Sequence, residues 1–420
     1  MLPRKLFERI KEQRKDKKIS IILGPRQVGK TTLLKELYKE LSKTNKCLFL
    51  DLDILSNYEK ISTFENLINT LKLNGYKESE KDFYYLFLDE FQKYINLANI
   101  MKNVYDNFDN IKIYASSSSS LVIKDQVQES LAGRKKVNEL FALDFEEFLW
   151  FKQDDKIIEK LNNAKNLEGD GLYILLPELN HLLEEFLIFG GYPGVVLKNT
   201  KEEKIEVLES IFDLYAKKDL ISYLHIEKIL DIKNLIEYLA VNHGQKIKYE
   251  EISEKFSLRY KEVKNYIEIL KETYLVYLLK PFYTNKNKEL VKIPKVYFID
   301  NGVRNFFIKN FNEISLRNDI GFLFEGFVLS ELIKKGIKNI KFWQDKNKTE
   351  VDFIIDNISL QIPLEVKFKQ NIKSDDFNGL DAFMKEYPKT KKKYLINLNT
   401  QKDIEYSLIL PYSLEKIKTN

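Results

Sequence analysis

The sequence predicts an α/β protein that folds around more than one hydrophobic core. Two of the observations behind this prediction are global: the chain has 420 residues, and 44% hydrophobic with 31% charged residues is the balance of a folded globular protein. The third is local, an apolar strand followed at once by a glycine-containing loop and a leucine-rich amphipathic helix, over residues 18–41. A single small binding module is therefore excluded.

Cysteine and histidine are too rare to build the common disulfide or zinc sites. Cys47 is the single cysteine, and the three histidines, His181, His225 and His243, lie far apart in the sequence. No apolar run approaches the roughly 20 residues that a membrane-spanning helix needs, and the basic N-terminus has no signal-peptide core. We therefore expect a cytoplasmic protein with no membrane partner.

A phosphate-binding loop follows the first predicted strand. This strand covers residues 18–23, and two glycines, a lysine and a threonine lie between it and the next helix. Gly24 and Gly29 allow the tight turn that points backbone N–H groups at phosphates. In such a P-loop, Lys30 is expected to reach the β- and γ-phosphates of ATP, and Thr31 to bind Mg²⁺. The predicted nucleotide-contacting residues are Gly24, Pro25, Arg26, Gln27, Val28, Gly29, Lys30, Thr31 and Thr32.

A second apolar strand ends in two carboxylates. Residues 83–88 are predicted to form a buried strand, and Asp89 and Glu90 follow it directly. We expect Asp89 to complete the Mg²⁺ site. Glu90 is placed to orient and deprotonate the water that attacks the γ-phosphate. A solvated strand end is the alternative, and the upstream P-loop favours the catalytic interpretation.

Two more predicted strands complete a four-stranded parallel sheet. They cover residues 46–50 and 110–115, and the second leads into a run of five serines, 116–120. Ligands of such sheets bind at the carboxyl edge. Ser116 or Ser117 is therefore a candidate for contact with the γ-phosphate or the attacking water. A flexible polyserine loop is the other interpretation, and the sequence leaves both open.

Short motifs recur along nearly the whole chain. They cover residues 24–34, 86–92, 131–134, 143–148, 190–193, 294–302, 325–328 and 350–353. Together they resemble a prokaryotic family of predicted AAA+ ATPases. The resemblance implies ATP binding and an AAA-type lid packed on the ATPase core. A homo-oligomer is a separate hypothesis, which the sequence leaves open. The resemblance also makes Arg134 a candidate for stabilising γ-phosphate charge, in its own chain or across a subunit boundary; a solvated basic turn is the alternative for this arginine.

Residues 244–295 carry concentrated positive charge. They hold twelve lysine and arginine residues against seven glutamates, an excess equal to the net charge of +5 of the whole chain. Predicted helices over 250–256 and 260–271 have helix-turn-helix spacing, and a β-ribbon over 274–283 completes a resemblance to a winged helix. Docking of a protein is one use of such a module, and DNA binding is the other. The candidate DNA contacts are Arg259, Lys261, Lys264 and Asn265.

The last part of the chain places three acids and a lysine in a suggestive pattern. Glu325 lies on a predicted helix, Asp352 on an apolar strand, and Glu365 and Lys367 on the next strand. This order resembles a restriction-endonuclease-like core. Asp352 and Glu365 would then hold a divalent cation, and Lys367 would activate water or stabilise the developing charge. A salt-bridged strand face and a nuclease-like fold that binds DNA without cutting it remain alternatives.

Together these patterns predict an α/β fold class with a P-loop NTPase parallel-sheet core, a helical lid, a winged helix and a small nuclease-like domain. The predicted segments are 1–150, 151–225, 226–295 and 296–420. ATP and Mg²⁺ are the expected cofactors, and DNA is the expected partner. The alternative function is a nucleotide-controlled signalling or scaffold ATPase whose C-terminal domains bind protein.

Overall fold

A computed structural model of the chain describes residues 2–94, 96–117, 130–166, 177–215, 229–285, 287, 289, 292–357, 360–369, 371–398 and 407–417. The serines 118–120 of the predicted serine run lie outside these residues. The chain divides into unit 1, Met1–Ala142, and unit 2, Leu143–Asn420. Within the ranges just given, no helix combines the length and the apolar composition needed to cross a bilayer.

Unit 1 is built on a five-stranded parallel sheet. Its strands are β1 Ile19–Leu23, β2 Cys47–Asp51, β3 Tyr84–Asp89, β4 Ile111–Ser117 and β5 Lys135–Glu139. Its helices are α1 Lys5–Glu12, α2 Lys30–Leu41, α3 Leu55–Glu59, α4 Phe64–Leu73 and α5 Leu97–Asn107, with short 3-10 turns at Gln13–Lys15 and Phe91–Lys93. The four predicted strands are confirmed to within two residues at each end, and β5 is an addition.

The strand order places the P-loop at the topological switch point of the sheet. The order is β2-β3-β4-β1-β5, and every neighbouring pair is parallel. The chain leaves β1 for the far edge of the sheet, while β5 pairs on the other side of β1. Ligands of open parallel sheets bind at the carboxyl ends of the strands beside such a switch, and the loop between β1 and α2 lies there.

Unit 2 contains a mixed sheet of seven strands. Its strands are β6 Val276–Pro281, β7 Lys295–Phe298, β8 Ile340–Gln344, β9 Glu350–Asp356, β10 Gln361–Val366, β11 Tyr394–Ile396 and β12 Ser407–Ile409. Its helices are α6 Phe145–Lys152, α7 Asp155–Asn166, α8 Pro177–Phe189, α9 Pro193–Val196, α10 Lys201–Leu214, α11 Ile229–Val241, α12 Tyr249–Phe256, α13 Tyr260–Glu272, α14 Asn301–Phe307, α15 Ile320–Lys334 and α16 Asn378–Glu386, with 3-10 turns at Ile314–Leu316, Ser374–Phe377 and Leu414–Lys416. The strand order is β12-β11-β10-β9-β8-β6-β7.

Helices assigned to the predicted lid belong to the core of unit 2. Phe186 of α8 lies 5.7 Å from Phe145 and 5.1 Å from Phe148 of α6, and 5.8 Å from Phe327 of α15, measured between ring centroids. The same hydrophobic cluster continues into β8, β9 and β10. The predicted boundary at residue 150 falls inside α6. The part of the predicted lid formed by α8 is therefore built into the core of the C-terminal sheet, where aromatic packing holds it.

The predicted winged helix is also joined to this sheet. Helices α12 and α13 confirm the two predicted helices. The expected ribbon over 274–283 contributes one strand, β6, which pairs antiparallel with β7 and parallel with β8. The predicted boundary at 295 therefore runs through β7, and the supposed ribbon is part of a seven-stranded sheet. The sequence pattern missed this because a strand at the end of a ribbon and one at the side of a larger sheet have the same alternation.

Candidate functional site

The P-loop depends on its two glycines for different reasons. Gly29 has φ of 97°, a left-handed conformation that side chains disfavour, immediately before the first residue of α2. A Cβ on Gly24 would lie 1.9 Å from the carbonyl oxygen of Leu140, so close backbone approach requires glycine there. The N-terminus of the twelve-residue helix α2 then presents unpaired N–H groups and a partial positive charge to this loop.

Lys30 is held inside the curve of the loop. Its ammonium donates hydrogen bonds to the carbonyl oxygens of Gly24, at 2.9 Å, and Pro25, at 2.7 Å. The side chain is only 4% exposed. A buried cation among backbone dipoles at a helix N-terminus is suited to an anionic ligand such as a phosphate.

Asp89 meets the P-loop threonine at the carboxyl edge of the sheet. Its carboxylate accepts hydrogen bonds from the hydroxyls of Thr31 and Ser116 and is 2% exposed. Burial raises the pKa of Asp89, and the charges of Glu90 and Asp51 raise it further, while the two hydroxyls lower it. Asp51 lies directly opposite Asp89 in the β2–β3 pair.

This group of oxygen atoms fits a magnesium ion. A threonine hydroxyl and a carboxylate are the hard oxygen ligands that Mg²⁺ takes alongside water and phosphate. The carboxylate of Asp89 is disfavoured by burial and by two neighbouring acids, so a divalent cation would stabilise its charged form. Thr31 and Asp89 are the residues that would hold the ion.

Ser116 connects the two acidic residues at the end of β3. Its hydroxyl contacts Asp89, and it accepts a hydrogen bond from the backbone N–H of Glu90 at 3.3 Å. Glu90 has φ of 56°, and its carboxylate accepts a hydrogen bond from the amide of Gln92. Ser116 and Ser117 are fully buried at the end of β4. The polyserine-loop interpretation is therefore wrong for these two residues.

Arg134 lies at the opposite edge of the sheet. Its carbonyl oxygen accepts a hydrogen bond from the N–H of Ile19, the first residue of β1. Its guanidinium makes two hydrogen bonds to Asp106 near the end of α5, at 2.6 and 3.1 Å. The P-loop begins at the other end of β1, about 16 Å away for five residues of strand. The structure does not bring Arg134 to the P-loop of its own chain, and a role across a subunit boundary stays a prediction.

Arg4 contacts the P-loop, although no sequence motif predicts this contact. Its guanidinium donates to the carbonyl oxygens of Val28, at 2.6 Å, and Phe141, at 2.8 Å, and it is 5% exposed. Arg4 thereby ties the segment before α1 and the end of unit 1 to the middle of the P-loop. No local motif marks an arginine 24 residues upstream of its partner, so the sequence offered no signal for it.

The predicted C-terminal acids do come together. Glu325 accepts a hydrogen bond from the hydroxyl of Tyr297 at 3.0 Å. Asp352 accepts one from the backbone N–H of Val366 at 2.8 Å. The ammonium of Lys367 donates to Glu365 at 2.5 Å. We call Glu325, Glu350, Asp352 and Glu365, with Lys295 and Lys367, the acidic cluster; Lys295 forms an ion pair with Glu350 in it.

Burial and the charge of neighbouring acids raise the pKa values of three acids of this cluster. Burial raises the pKa of Glu325 to about 8, with the charge of Asp352 as the second cause. Burial also raises the pKa values of Asp352 and Glu365, and Asp352 adds to the effect on Glu365. Acids with pKa values raised in this way occur at functional sites, although structural networks produce the same shifts.

One oxygen atom of the acidic cluster can accept a further partner. The second carboxylate oxygen of Glu365 is buried and has no hydrogen-bond partner among the described residues. However, no three His, Cys, Asp or Glu side chains in the described ranges are positioned to share a metal ion. Asp352 and Glu365 carry oxygen atoms of the type that a divalent cation takes, and their joint binding of an ion stays a prediction.

The candidate DNA-contacting residues lie on the exposed side of α13. Lys261, Lys264 and Asn265 are exposed, and Lys261 lies one helical turn before the other two. Arg259 is at the N-terminus of this helix, and its guanidinium donates to Glu262 at 2.9 Å. Lys261 and Lys264 form no ion pair within the part of the chain that the structure describes, so their charges face solvent.

Three family matches cover most of the chain. The AAA domain family matches residues 16–149. Two domains of unknown function, DUF8612 and DUF4143, match residues 180–313 and 320–414. The uncharacterised protein MJ1544 of Methanocaldococcus jannaschii is 30% identical over 80% of this chain and 72% of its own length. The chain belongs to the same family as MJ1544. In this chain, the residues that match the AAA domain family contain the five-stranded parallel sheet and the P-loop described above.

Three further similar proteins have lower sequence identity to this chain. An uncharacterised protein of Haemophilus influenzae is 23% identical over 84% of this chain and 82% of its own length. Among solved structures, a Walker-type ATPase of Pyrococcus abyssi has a TM-score of 0.47 and 14% identity over 73% of this chain and 96% of its own. The ORC2 protein of Aeropyrum pernix has a TM-score of 0.38 and 12% identity, covering 65% and 86% of the two chains.

Proposed function

We propose that the chain hydrolyses ATP with Mg²⁺ at the carboxyl edge of the unit 1 sheet. The observation that carries this proposal is the contact of Asp89 with the hydroxyl of Thr31, beside a P-loop whose lysine is already held in the loop. Asp89, at the end of β3, thereby lies next to Thr31, which follows the phosphate-binding loop, and both are candidate ligands of the same cation. Both ligands come from rigid elements, which favours precise positioning.

Each residue has a distinct task in the proposed reaction. Backbone N–H groups of the loop and the ammonium of Lys30 bind the phosphates, and Thr31 with Asp89 would hold Mg²⁺, which supplies charge neutralisation to the phosphates when bound. Glu90 orients a water molecule and accepts its proton. The water oxygen forms a bond to the γ-phosphorus as the bond from that phosphorus to the β–γ bridging oxygen breaks, giving ADP and inorganic phosphate.

Steady-state ATP turnover tests this proposal. We expect Lys30→Ala to lower turnover severely, and Glu90→Gln to retain ATP binding while turnover falls by about 10²- to 10⁴-fold. Lys39→Ala is the matched control, because Lys39 is an exposed lysine on the same helix α2. If Lys30→Ala turns over ATP as fast as the unaltered chain, the P-loop assignment is wrong.

We propose further that the chain acts on DNA in the cytoplasm. The support is the exposed basic side of α13 and the acidic cluster of unit 2. The test is binding of labelled DNA at increasing salt, together with DNA stimulation of ATP turnover; Lys261→Glu and Lys264→Glu should weaken both. If DNA neither binds in a salt-dependent way nor raises turnover, the alternative of a signalling or scaffold ATPase that binds protein is favoured.

The acidic cluster supports a second candidate activity, cleavage of DNA. The unpartnered oxygen of Glu365 beside Asp352 would be a ligand position for a divalent cation, and Lys367 would stabilise the charge that develops on the phosphate. Supercoiled plasmid should be nicked with Mg²⁺ or Mn²⁺ and spared by Asp352→Ala. Asp356→Ala is the matched control on the same strand, because Asp356 pairs with Lys341 outside the cluster. Equal cutting by all three proteins would indicate a contaminating nuclease.

Arg134 is proposed to act between subunits of a homo-oligomer. Its position away from its own P-loop supports a role in a neighbouring copy. Mixing Arg134→Ala chains with Lys30→Ala chains tests this, because mixed assemblies would contain some interfaces with an intact arginine and an intact P-loop. Turnover should exceed that of either variant alone, and purely additive turnover would contradict the proposal.

A further inference from the structure

Unit 2 contains a cavity whose lining is both aromatic and basic. Its volume is about 260 Å³. Phe282 and Phe342 are buried residues of its wall, while Tyr283 and Ile293 are more exposed. This volume lies below the usual range for sites of drug-sized ligands. The cavity therefore suits a small planar group better than an extended ligand.

Two lysines give the cavity the positive charge that an anion site needs. Lys246 and Lys292 both contribute to its lining. Lys292 forms no ion pair among the described residues, and Lys246 lies over the ring of Phe342, 5.1 Å from its centroid. The acid at the cavity, Asp345, is occupied locally, because its carboxylate accepts backbone hydrogen bonds from Asn347 and Thr349, each at 2.8 Å.

The charges of neighbouring lysines add to this effect. Burial lowers the pKa of Lys246, and Lys295 and Lys292 lower it further, while Glu350 opposes them. The ammonium of Lys295 lies 5.2 Å from the centroid of the same Phe342 ring that Lys246 covers. An anionic group at the cavity would therefore relieve repulsion between lysines.

The cavity is connected to the acidic cluster by hydrogen bonds. Gln344 lines the cavity, and its amide donates to Glu350 at 3.2 Å. Glu350 pairs with Lys295, whose charge acts on Glu325 and Asp352. A ligand in the cavity would thus lie beside Gln344, one hydrogen bond from Glu350 of the acidic cluster.

We propose that the cavity binds one nucleotide of an unpaired nucleic-acid strand, with its base against Tyr283 and its phosphate between Lys246 and Lys292. Aromatic stacking with basic phosphate contacts is the general chemistry of single-strand recognition. The inference rests on the proposed action on DNA and names the form of DNA that unit 2 holds.

The test is the affinity of the full-length chain for a labelled twelve-residue oligothymidylate, measured by fluorescence anisotropy in EDTA. Tyr283→Ala should weaken binding by about 5- to 150-fold, the range for loss of one stacked base, and Tyr283→Phe should retain it. Lys292→Gln should lower the dependence of log K on log salt by about 0.7, as expected for one single-strand phosphate contact. Lys385→Gln, an exposed lysine on α16, is the matched charge control and should change neither.

A second strand with one abasic position separates the base contact from general loss of structure. The unaltered chain should lose affinity for this strand, and Tyr283→Ala should add no further loss, because both changes remove the same contact. Independent, additive losses would overturn the assignment of Tyr283 as the stacking residue.

The remaining outcomes separate this inference from the proposed function. If the unaltered chain binds DNA and the Tyr283→Ala and Lys292→Gln variants bind it equally well, the cavity assignment is wrong while action on DNA stands. If the unaltered chain binds no DNA, action on DNA itself fails. If thymidine monophosphate displaces the oligonucleotide at the oligonucleotide's own concentration range, the cavity takes free nucleotides and the strand assignment is overturned.

Discussion

Ser116→Ala is the most informative single substitution at the proposed ATPase site. The hydroxyl of Ser116 donates to Asp89 and accepts the N–H of Glu90, so alanine removes a partner from both acids while Thr31 still contacts Asp89. A hydrogen bond to a charged group contributes about 1.5–3 kcal/mol. Loss of a group that orients a metal ligand typically costs about 10- to 100-fold in metal affinity. We expect an increase of that size in the Mg²⁺ concentration for half-maximal turnover.

The same substitution should change the pH dependence. Because the Ser116 hydroxyl lowers the pKa of Asp89, its removal raises that pKa further. Asp89 is then protonated at a higher pH, and the acid limb of the turnover profile moves upward. Ser20→Ala is the control: Ser20 is an equally buried serine on the neighbouring strand β1, bonded to Gln13 and Lys112. Unchanged Mg²⁺ dependence together with an unchanged acid limb would refute the proposed role of Ser116.

Three further predictions concern other parts of the structure. Arg4→Met should raise KM for ATP and lower the free energy of unfolding by about 3 kcal/mol, since it removes a buried charged donor from the Val28 carbonyl. A KM for ATP equal to that of the unaltered chain would contradict this prediction. Burial raises the pKa of Glu325 from 4.5 to about 8, so the folded chain binds protons more tightly and loses stability as pH rises through that window. Urea unfolding measured across this pH range should show a smaller loss of stability for Glu325→Gln than for the unaltered chain. If stability falls equally with pH in both proteins, the raised pKa of Glu325 is contradicted. Gly326→Ala should destabilise unit 2 by about 1–3 kcal/mol, because the new Cβ would lie 2.3 Å from His243 Nε2; an unchanged thermal midpoint would disprove the clash.

Local patterns were sufficient to predict the ATPase part of the fold. Buried parallel strands are continuous apolar runs, and the loop after the first has a defined residue spacing. Both features depend on neighbours in sequence, so the four predicted strands and the contact of Thr31 with Asp89 could be anticipated. β5 was missed because Lys135–Glu139 has mostly polar and partly exposed residues, as an edge strand allows.

Longer-range relations could not be predicted in this way. Arg4 reaches the P-loop through a contact 24 residues away, and Ser116 turned out to support Asp89 instead of lying in a flexible loop. For the same reason, the sequence did not reveal that residues 150 and 295 lie inside α6 and β7. Helical periodicity identifies which face of a helix is buried, but it does not identify the element that buries it.

The aromatic core of unit 2 determines how the chain can be shortened. A fragment that begins at residue 226 would keep every member of the acidic cluster, and one that begins at residue 296 would lack only Lys295. Both fragments would lose Phe145 and Phe186, whose rings both pack against Phe327. Both would also lose the N–H of Gly191, which donates to the buried carboxylate of Asp300 at 2.8 Å. The smallest piece in which the C-terminal acids can be studied apart from the ATPase therefore begins near Leu143.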